Sequence, residues 1–288
     1  MSAPAPIVYR HRRNVRQSVS TGVNAAVIVV WCVVPFLWMI IASFRDPGQQ
    51  YEVSLVPSSP TLDNYRVAMS TQAGNHLGQA LLNSLVIGAA VTLISLLIGT
   101  FAAYALARVN FRFKALVMGV VLGASMFPGV ALITPLFQLF TGIGWMGTYQ
   151  ALIIPEISFA LPLTVYTLNS FFRDMPWDLE EAARIDGCSR TQAFVRIIFP
   201  LAAPAVFTTA ILAFIMSWNE YLISSQLSGA ATQPVTVAIA SFTGQQPHQD
   251  PYAAVMAAGC IVTVPLVILV LIFQRRIVAG LTAGGVKG

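Results

Sequence analysis

Six long apolar stretches constrain the fold of this 288-residue chain more than any motif does. They cover, approximately, residues 23–43, 82–107, 115–140, 149–172, 203–225 and 252–274. A helix needs about 20 largely apolar residues to cross the hydrocarbon layer of a membrane, which is ~30 Å thick. Because 56% of the residues are hydrophobic and only 9% are charged, a soluble core does not account for this composition. We therefore predict an all-α, polytopic membrane protein with six transmembrane helices.

The distribution of lysine and arginine predicts which helix ends face the cytoplasm. Fourteen of the 16 lie in the two tails, the 108–114 turn or the 173–202 loop, whereas only Arg45 and Arg66 lie on the other side. Short connections that are rich in these residues stay in the cytoplasm. Both termini are therefore predicted to be cytoplasmic. The predicted organisation is a cytoplasmic tail at 1–22, a membrane domain at 23–274 and a second cytoplasmic tail at 275–288.

Several kinds of site are not supported by the sequence. The three cysteines and three histidines are far apart and form no CxxC pattern, so neither a zinc site nor a disulfide framework is predicted. Lys114 and Lys287 are the only lysines, and neither follows a glycine as the lysine of a nucleotide-binding P-loop does. The basic residues are scattered over separate loops, which does not favour nucleic-acid binding. We expect no catalytic residue, metal or cofactor in this chain, so that any ATP and Mg²⁺ would be bound by partner subunits.

The longest polar interruption, residues 178–200, has the helix signals of a folded loop. Asp178 followed by Glu181 has the pattern of a capping box, and acidic residues suit the positive end of a helix dipole. A short helix is predicted to begin near Leu179 and to end at Gly187, which can adopt the left-handed conformation of a C-cap.

A second short helix is predicted to begin after Ser189, with Gln192 completing a second capping box, and to end before Pro200. The first helix is expected to expose a small and apolar surface formed by Leu179, Ala182, Ala183 and Ile185. Such a surface suits a protein partner that approaches closely, but an amphipathic helix lying on lipid headgroups has the same pattern.

The spacing within this loop resembles that of a known family. Glu181-Ala182-Ala183, Gly187, Ile197, Phe199 and Pro200 match the EAA loop of ABC importer permeases, with Phe199 where leucine is commonest. The resemblance implies that the loop is a coupling helix seated in a cleft of a cytoplasmic ATPase. The residues implied to make this contact are Glu180, Glu181, Ala182, Ala183, Arg184, Asp186 and Gly187.

Three further segments resemble carbohydrate importer permeases of the maltose MalG type. They are PTLDNYR at 60–66, WNEY at 218–221 and the tail RRIVAGLTAGGVKG at 275–288. The resemblance implies that the C-terminal end can reach between the two ATPase subunits, and a solvated, disordered tail is the alternative that its composition leaves open. The tail residues that the resemblance assigns to this contact are Thr282, Gly284, Gly285 and Lys287.

Polar residues inside the apolar stretches are candidates for a substrate pathway, because carboxylates within a membrane are costly and usually face a cavity or a partner. By helical rise, Glu156 is expected ~10 Å below the outer surface and Glu220 ~26 Å above the inner one, so both fall in the outer half. For each of them a purely structural role remains open. The full candidate set is Asn83, Gln138, Glu156, Trp218, Asn219, Glu220 and Tyr221.

Together these resemblances imply a permease subunit of an ATP-driven ABC importer in a bacterial cytoplasmic membrane. The implied substrate is a sugar, with a disaccharide such as trehalose or maltose favoured by a likeness to actinobacterial trehalose importers. The implied partners are a second, homologous permease, two copies of a P-loop ATPase, an extracytoplasmic solute-binding protein or lipoprotein, and membrane lipid. The alternative is an ion-coupled secondary transporter or channel, which commonly carries an internal repeat that is not evident here.

Overall fold

A computed structural model describes residues 15–49, 51–71, 75–242 and 251–283, with side chains from 20 to 274. Within these ranges the chain is helical, and strand pairing is limited to a single antiparallel bridge between Arg45 and Pro60. The twelve α-helices are α1 (Val15–Ser43), α2 (Asp63–Met69), α3 (Leu77–Arg108), α4 (Lys114–Ser125), α5 (Gly129–Gly142), α6 (Tyr149–Asp174), α7 (Asp178–Ile185), α8 (Arg190–Ala193), α9 (Phe199–Trp218), α10 (Leu222–Leu227), α11 (Val235–Ala240) and α12 (Tyr252–Ala283).

Among the described residues, five helical segments are long and apolar enough to cross a membrane, and a bent pair makes a sixth. The five lie in α1, α3, α6, α12 and the continuous helix Arg190–Trp218, which contains α8 and α9. The bent pair is α4 and α5, which meet at 87°. The predicted third stretch, 115–140, is therefore two helices and not one. Pro128 contributes to the break, because its backbone is extended at ψ 116° and proline disfavours helical backbone in the residue before it.

The bent pair still connects opposite ends of α3, which is about 48 Å long by helical rise. At one end, Lys114 Nζ donates a hydrogen bond to the Ala107 carbonyl at 3.3 Å. At the other, the Tyr149 hydroxyl donates to Asn83 Oδ1 at 2.7 Å, close to the start of α3. Thus α4 and α5 together make one broken crossing.

Helix α3 lies at the centre of the bundle and packs along both α6 and α9. Small residues allow this close approach, since Gly99 faces Thr164 of α6 and Gly88 faces Phe214 of α9. Three buried apolar clusters follow the length of α3. They are centred on Trp218 at one end, on Leu152 in the middle and on Phe172 and Phe194 at the other end.

Several predicted helix ends differ from the structure, since α1 begins at Val15 and α3 at Leu77, before the predicted residues 23 and 82. The helix that begins at Arg190 does not end before Pro200, because residues Phe194–Ile198 form a π-turn in which the Phe199 N–H donates to the Phe194 carbonyl. The wider turn accommodates a proline ring that would otherwise meet the carbonyl four residues earlier. The fifth crossing ends at Trp218, before the predicted residue 225, whereas α12 continues beyond 274 to Ala283.

Candidate functional site

The polar loop 178–200 contains α7 and α8 and lies at the end of the bundle where α3 and α6 end. Helix α7 begins one residue earlier than predicted, because Trp177 has helical backbone at φ −68° and ψ −31°. The predicted capping box of Asp178 and Glu181 is therefore wrong, and no side chain caps this end. Asp178, Glu180 and Glu181 nevertheless occupy the first turn, where negative charge is favourable for the helix dipole.

The predicted turn between the two loop helices is confirmed. Gly187 has φ +88°, and the Cys188 N–H donates to the Ala183 carbonyl at 2.9 Å, as in a Schellman C-cap. The Ser189 hydroxyl then accepts from the Gln192 N–H at 3.3 Å, and the Gln192 side chain accepts from the Ser189 N–H at 2.9 Å. Both bonds of the second capping box are thus present.

The two faces of α7 are more sharply separated than expected. Ala183 is buried and Leu179 packs against the cluster that contains Phe172, so the prediction that both are exposed is wrong. Glu180 also faces inward and is 8% exposed. The outward face carries Ala182 and Ile185, and Ile185 is 86% exposed. The other residues of the predicted contact, Glu181, Arg184, Asp186 and Gly187, are exposed as well.

Sequence reasoning missed the residue that joins this loop to α3. Arg108, the last residue of α3, is 6% exposed and donates from Nη2 to the Met175 carbonyl at 2.9 Å. Its guanidinium carbon lies 4.4 Å from the centre of the Trp177 ring, which is a cation–π contact. The only sequence signal for this contact is an arginine at the end of an apolar stretch, with a tryptophan close to the polar loop.

A cavity of about 230 Å³ lies at the break between α4 and α5. It is bounded by α3, α6, α9 and α10 as well as by the break. Its lining is mainly apolar, with three polar side chains, and consists of Val91, Phe127, Gly129, Glu156, Phe159, Ala160, Met216, Ser217, Glu220, Leu222 and Ile223. Irregular backbone at membrane depth is tolerated where it lines a cavity or is buried in protein.

The two predicted membrane carboxylates meet in this cavity. Glu156 is 5% exposed and accepts a hydrogen bond from the Ser217 hydroxyl. Glu220 accepts from the backbone N–H groups of Ile223 at 2.7 Å and Ser224 at 2.9 Å, which tie it to the first turn of α10. Glu220 therefore caps the start of α10 with its carboxylate and also lines the cavity.

The other pathway candidates lie elsewhere. Asn83 is buried, donates to the carbonyls of Ala231 and Gln233 and accepts from Gln79 and Tyr149, so its amide is already occupied. Trp218 is buried in an apolar cluster. Outside the cavity lining are the exposed residues Gln138, Asn219 and Tyr221.

Sequence reasoning identified only Glu156 and Glu220 among the lining residues and missed the rest, including Phe127, Phe159, Met216 and Ser217. Only Ser217, directly before the WNEY segment, carried a polar signal.

The predicted tail contact falls at the limit of the described residues. Thr282 lies in the last turn of α12, while Gly284, Gly285 and Lys287 lie outside the described residues. In the described part of the chain, no three histidine, cysteine, aspartate or glutamate side chains are grouped as metal ligands.

Comparison with known proteins agrees with this architecture. Residues 95–282 match the family described as "binding-protein-dependent transport system inner membrane component". The trehalose transport system permease protein SugB of Mycobacterium tuberculosis is 44% identical, over 95% of this chain and 99% of that protein. The trehalose/maltose transport system permease protein MalG of Thermococcus litoralis is 41% identical, over 96% and 99% of the two chains.

A solved structure has the same fold. A chain of a bacterial ABC transporter involved in the import of the acidic polysaccharide alginate has a TM-score of 0.74 at 20% sequence identity, covering 94% of this chain and 99% of that one. The extent of the family match, the two relatives and the shared fold together lead to one conclusion: this chain belongs to the inner-membrane permeases of binding-protein-dependent ABC transport systems.

Proposed function

We propose that this chain forms one half of the pathway of an ATP-driven sugar importer, and that a separate ATPase docks on its polar loop. The relatives named for trehalose and maltose transport support a disaccharide substrate. The family name supports delivery by a solute-binding protein at the outer face. The cytoplasmic position of both termini is part of the proposal and rests on the distribution of lysine and arginine.

The outward face of α7 is the observation that carries the docking proposal. An isoleucine that is 86% exposed on a polar loop is unfavourable in water, and Ala182 beside it allows a partner backbone to come close. The opposite face of α7 is buried against the chain's own α3 and α6 ends, so the loop is held firmly while it presents this surface. Such a surface suits the cleft of an ATPase, where the isoleucine would be buried.

The loop is also connected to the cavity by a continuous element. The helix from Arg190 to Trp218 begins in the loop and ends beside Ser217 and Glu220, a length of ~43 Å by helical rise. A displacement of the loop by the ATPase would therefore be carried along this helix to the cavity. Because α8 and the π-turn are part of the same helix, no flexible connection would absorb the movement.

The cavity has chemistry that suits one ring of a sugar. Its carboxylates at Glu156 and Glu220 and the hydroxyl of Ser217 offer hydrogen bonds to sugar hydroxyls, and Phe127 or Phe159 offers an apolar face. A volume of about 230 Å³ corresponds to roughly seven or eight water molecules, which is too little for a whole disaccharide. The second permease would then supply the rest of the pathway. We assign ATP and Mg²⁺ to the two ATPase subunits and no catalytic step to this chain.

The substrate is tested by uptake in a strain that lacks this chain, with trehalose, maltose and glycerol phosphates as labelled substrates. We expect uptake of one disaccharide to be lost and restored by the chain, while uptake of glycerol phosphates is unchanged. Loss of glycerol phosphate uptake with both disaccharides unaffected would show that the substrate class is wrong.

The docking surface is tested with Ile185→Asp, using Ile185→Val as the matched control. Burial of an isoleucine side chain contributes about 1.5–3 kcal/mol, so the aspartate should weaken ATPase binding about tenfold to a hundredfold. Membrane insertion should be unchanged in both variants, because Ile185 makes little contact with its own chain. Equal uptake and equal ATPase binding by the two variants would contradict docking at this face.

A further inference from the structure

A second cavity, of about 130 Å³, lies between the end of α3 and the polar loop. It is separate from the membrane cavity and, apart from Val109, is lined by charged and aromatic side chains, namely Tyr104, Arg108, Trp177, Glu180, Glu181, Arg184 and Arg190. Three guanidinium groups and two carboxylates therefore border a space of roughly four water molecules. The balance of charge favours an anionic occupant.

The guanidinium of Arg108 is buried with most of its hydrogen-bonding capacity unused. Only Nη2 has a partner, the Met175 carbonyl, whereas Nε and Nη1 have none among the described residues. Stacking on Trp177 fixes the plane of the group and leaves this edge free. A buried cation with unpaired N–H groups is costly, so an occupant of the cavity with acceptor oxygens would be favoured.

A carboxylate with an unused oxygen borders the same space. Glu180 is 8% exposed, and its Oε2 has no hydrogen-bond partner in the described part of the chain. Among the described residues no ion pair joins Arg108 to Glu180, so the two groups do not neutralise each other directly. An occupant that accepts hydrogen bonds from Arg108 and donates one to Glu180 would satisfy both groups.

We propose that this cavity binds a phosphate group that has a hydrogen-bond donor attached or close by. The flat fork of a guanidinium pairs with phosphate oxygens in a bidentate manner, and Arg184 and Arg190 lie on the same cavity to add charge. The donor faces Glu180. Two sources share this chemistry, a phospholipid headgroup with an ammonium group, or a soluble phosphate such as monohydrogen phosphate.

A membrane source agrees with the position of the cavity. Arg108 ends an apolar helix and Trp177 stands beside it, and tryptophan is typical of the headgroup level of a membrane. A phosphate bound here would link α3 to α7 and α8 and so fix the polar loop relative to the membrane helices. Since only residues of this chain are involved, the proposal does not depend on the identity of the ATPase or the sugar.

The test is ligand binding to the full-length chain in detergent after removal of bound lipid. The probes are short-chain phosphatidylethanolamine, short-chain phosphatidylcholine and inorganic phosphate, with chloride at equal ionic strength as the control. A ligand of the folded state raises the midpoint of thermal unfolding as its concentration increases. Phosphatidylethanolamine has N–H donors and phosphatidylcholine has none, so comparing the two lipids tests the role of Glu180. Inorganic phosphate shows whether a soluble phosphate binds without a lipid headgroup.

The variants are Arg184→Gln and Arg190→Gln, whose side chains are exposed, with Arg112→Gln as the control at the same end of the molecule and outside the cavity lining. We expect phosphatidylethanolamine or inorganic phosphate to bind, and each of the two cavity variants to bind it about tenfold more weakly. Arg112→Gln should bind as the unchanged chain does.

Three results would overturn the proposal. The first is that no probe raises the midpoint of unfolding. The second is that Arg112→Gln weakens binding as much as the cavity variants do, which would indicate general attraction to positive charge. The third is that phosphatidylcholine binds as tightly as phosphatidylethanolamine, since it offers no donor to Glu180.

Discussion

Replacing Gly99 by alanine should destabilise the bundle although alanine is the better helix former. An added Cβ would lie 2.5 Å from Thr164 Cγ2 and 3.2 Å from Thr164 Cβ, much closer than real contacts allow. Thr164 is fully buried, and its hydroxyl donates to the Ala160 carbonyl at 2.9 Å. Because the threonine cannot rotate away without losing this bond, α3 and α6 would have to move apart.

The magnitude follows from two opposing contributions. Removal of a glycine from a helix interior stabilises it by about 1 kcal/mol, while overpacking of a tight contact costs about 1–3 kcal/mol. Gly99→Ala should therefore lower the free energy of unfolding by up to ~2 kcal/mol. Gly119→Ala is the matched control, because apart from its chain neighbours and the backbone of its own helix no described atom lies within 4 Å of its added Cβ. Gly119→Ala should show only the stabilisation that alanine gives to a helix. The difference in the free energy of unfolding between the two variants therefore measures the cost of overpacking at Gly99.

Thermal unfolding in detergent, followed by tryptophan fluorescence, measures both variants. Thr164→Ser removes the Cγ2 atom that meets the new Cβ while keeping the hydroxyl, so it should restore much of the stability when combined with Gly99→Ala. This pair forms a double-mutant cycle with a favourable coupling energy. Equal shifts for Gly99→Ala and Gly119→Ala, or no rescue by serine, would refute the close packing of α3 on α6.

Three further substitutions test individual contacts. Ser189→Ala removes one bond of the loop capping box and should cost about 1 kcal/mol of loop stability, measured as faster amide hydrogen exchange in α8. Glu220→Ala leaves two N–H groups of α10 without their carboxylate acceptor and should lower the free energy of unfolding by about 1–3 kcal/mol, measured by thermal unfolding. Glu220→Gln retains an acceptor oxygen and should lower it less. Asn83→Ala should cost at least as much, because four hydrogen bonds are lost. Asn219→Ala loses one exposed hydrogen bond to the Ile215 carbonyl and should cost less, about 0.5–1.5 kcal/mol.

Much of the fold could be predicted from the sequence, because apolar length and capping patterns are determined by residues close together in the chain. Apolar length predicted every crossing, and the cap of Ser189 with Gln192 and the turn at Gly187 follow from side-chain chemistry within a few residues. The exact course of the third and fifth crossings was not accessible in this way. The 87° angle at Pro128 and the π-turn before Pro200 depend on how the surrounding helices satisfy the broken backbone.

The candidate site was only partly accessible for a related reason. Glu156 and Glu220 stood out as carboxylates in apolar stretches, and the structure brings them to one cavity. The inward direction of Glu180 and the contact of Arg108 with Trp177 required knowledge of how α3 meets the loop. A polar residue can equally end as a satisfied structural amide, and Asn83 did so.

Coupling to a separate ATPase is the central claim, and affinity purification followed by transport in proteoliposomes tests it most directly. We predict that a P-loop ATPase co-purifies with the tagged chain and that the recovered complex takes up its sugar only when ATP is supplied. Ile185→Asp should lose both the ATPase and the uptake, and Ile185→Val should keep both. Uptake by the purified chain without ATP or any partner would contradict the account and indicate an ion-coupled transporter or a channel.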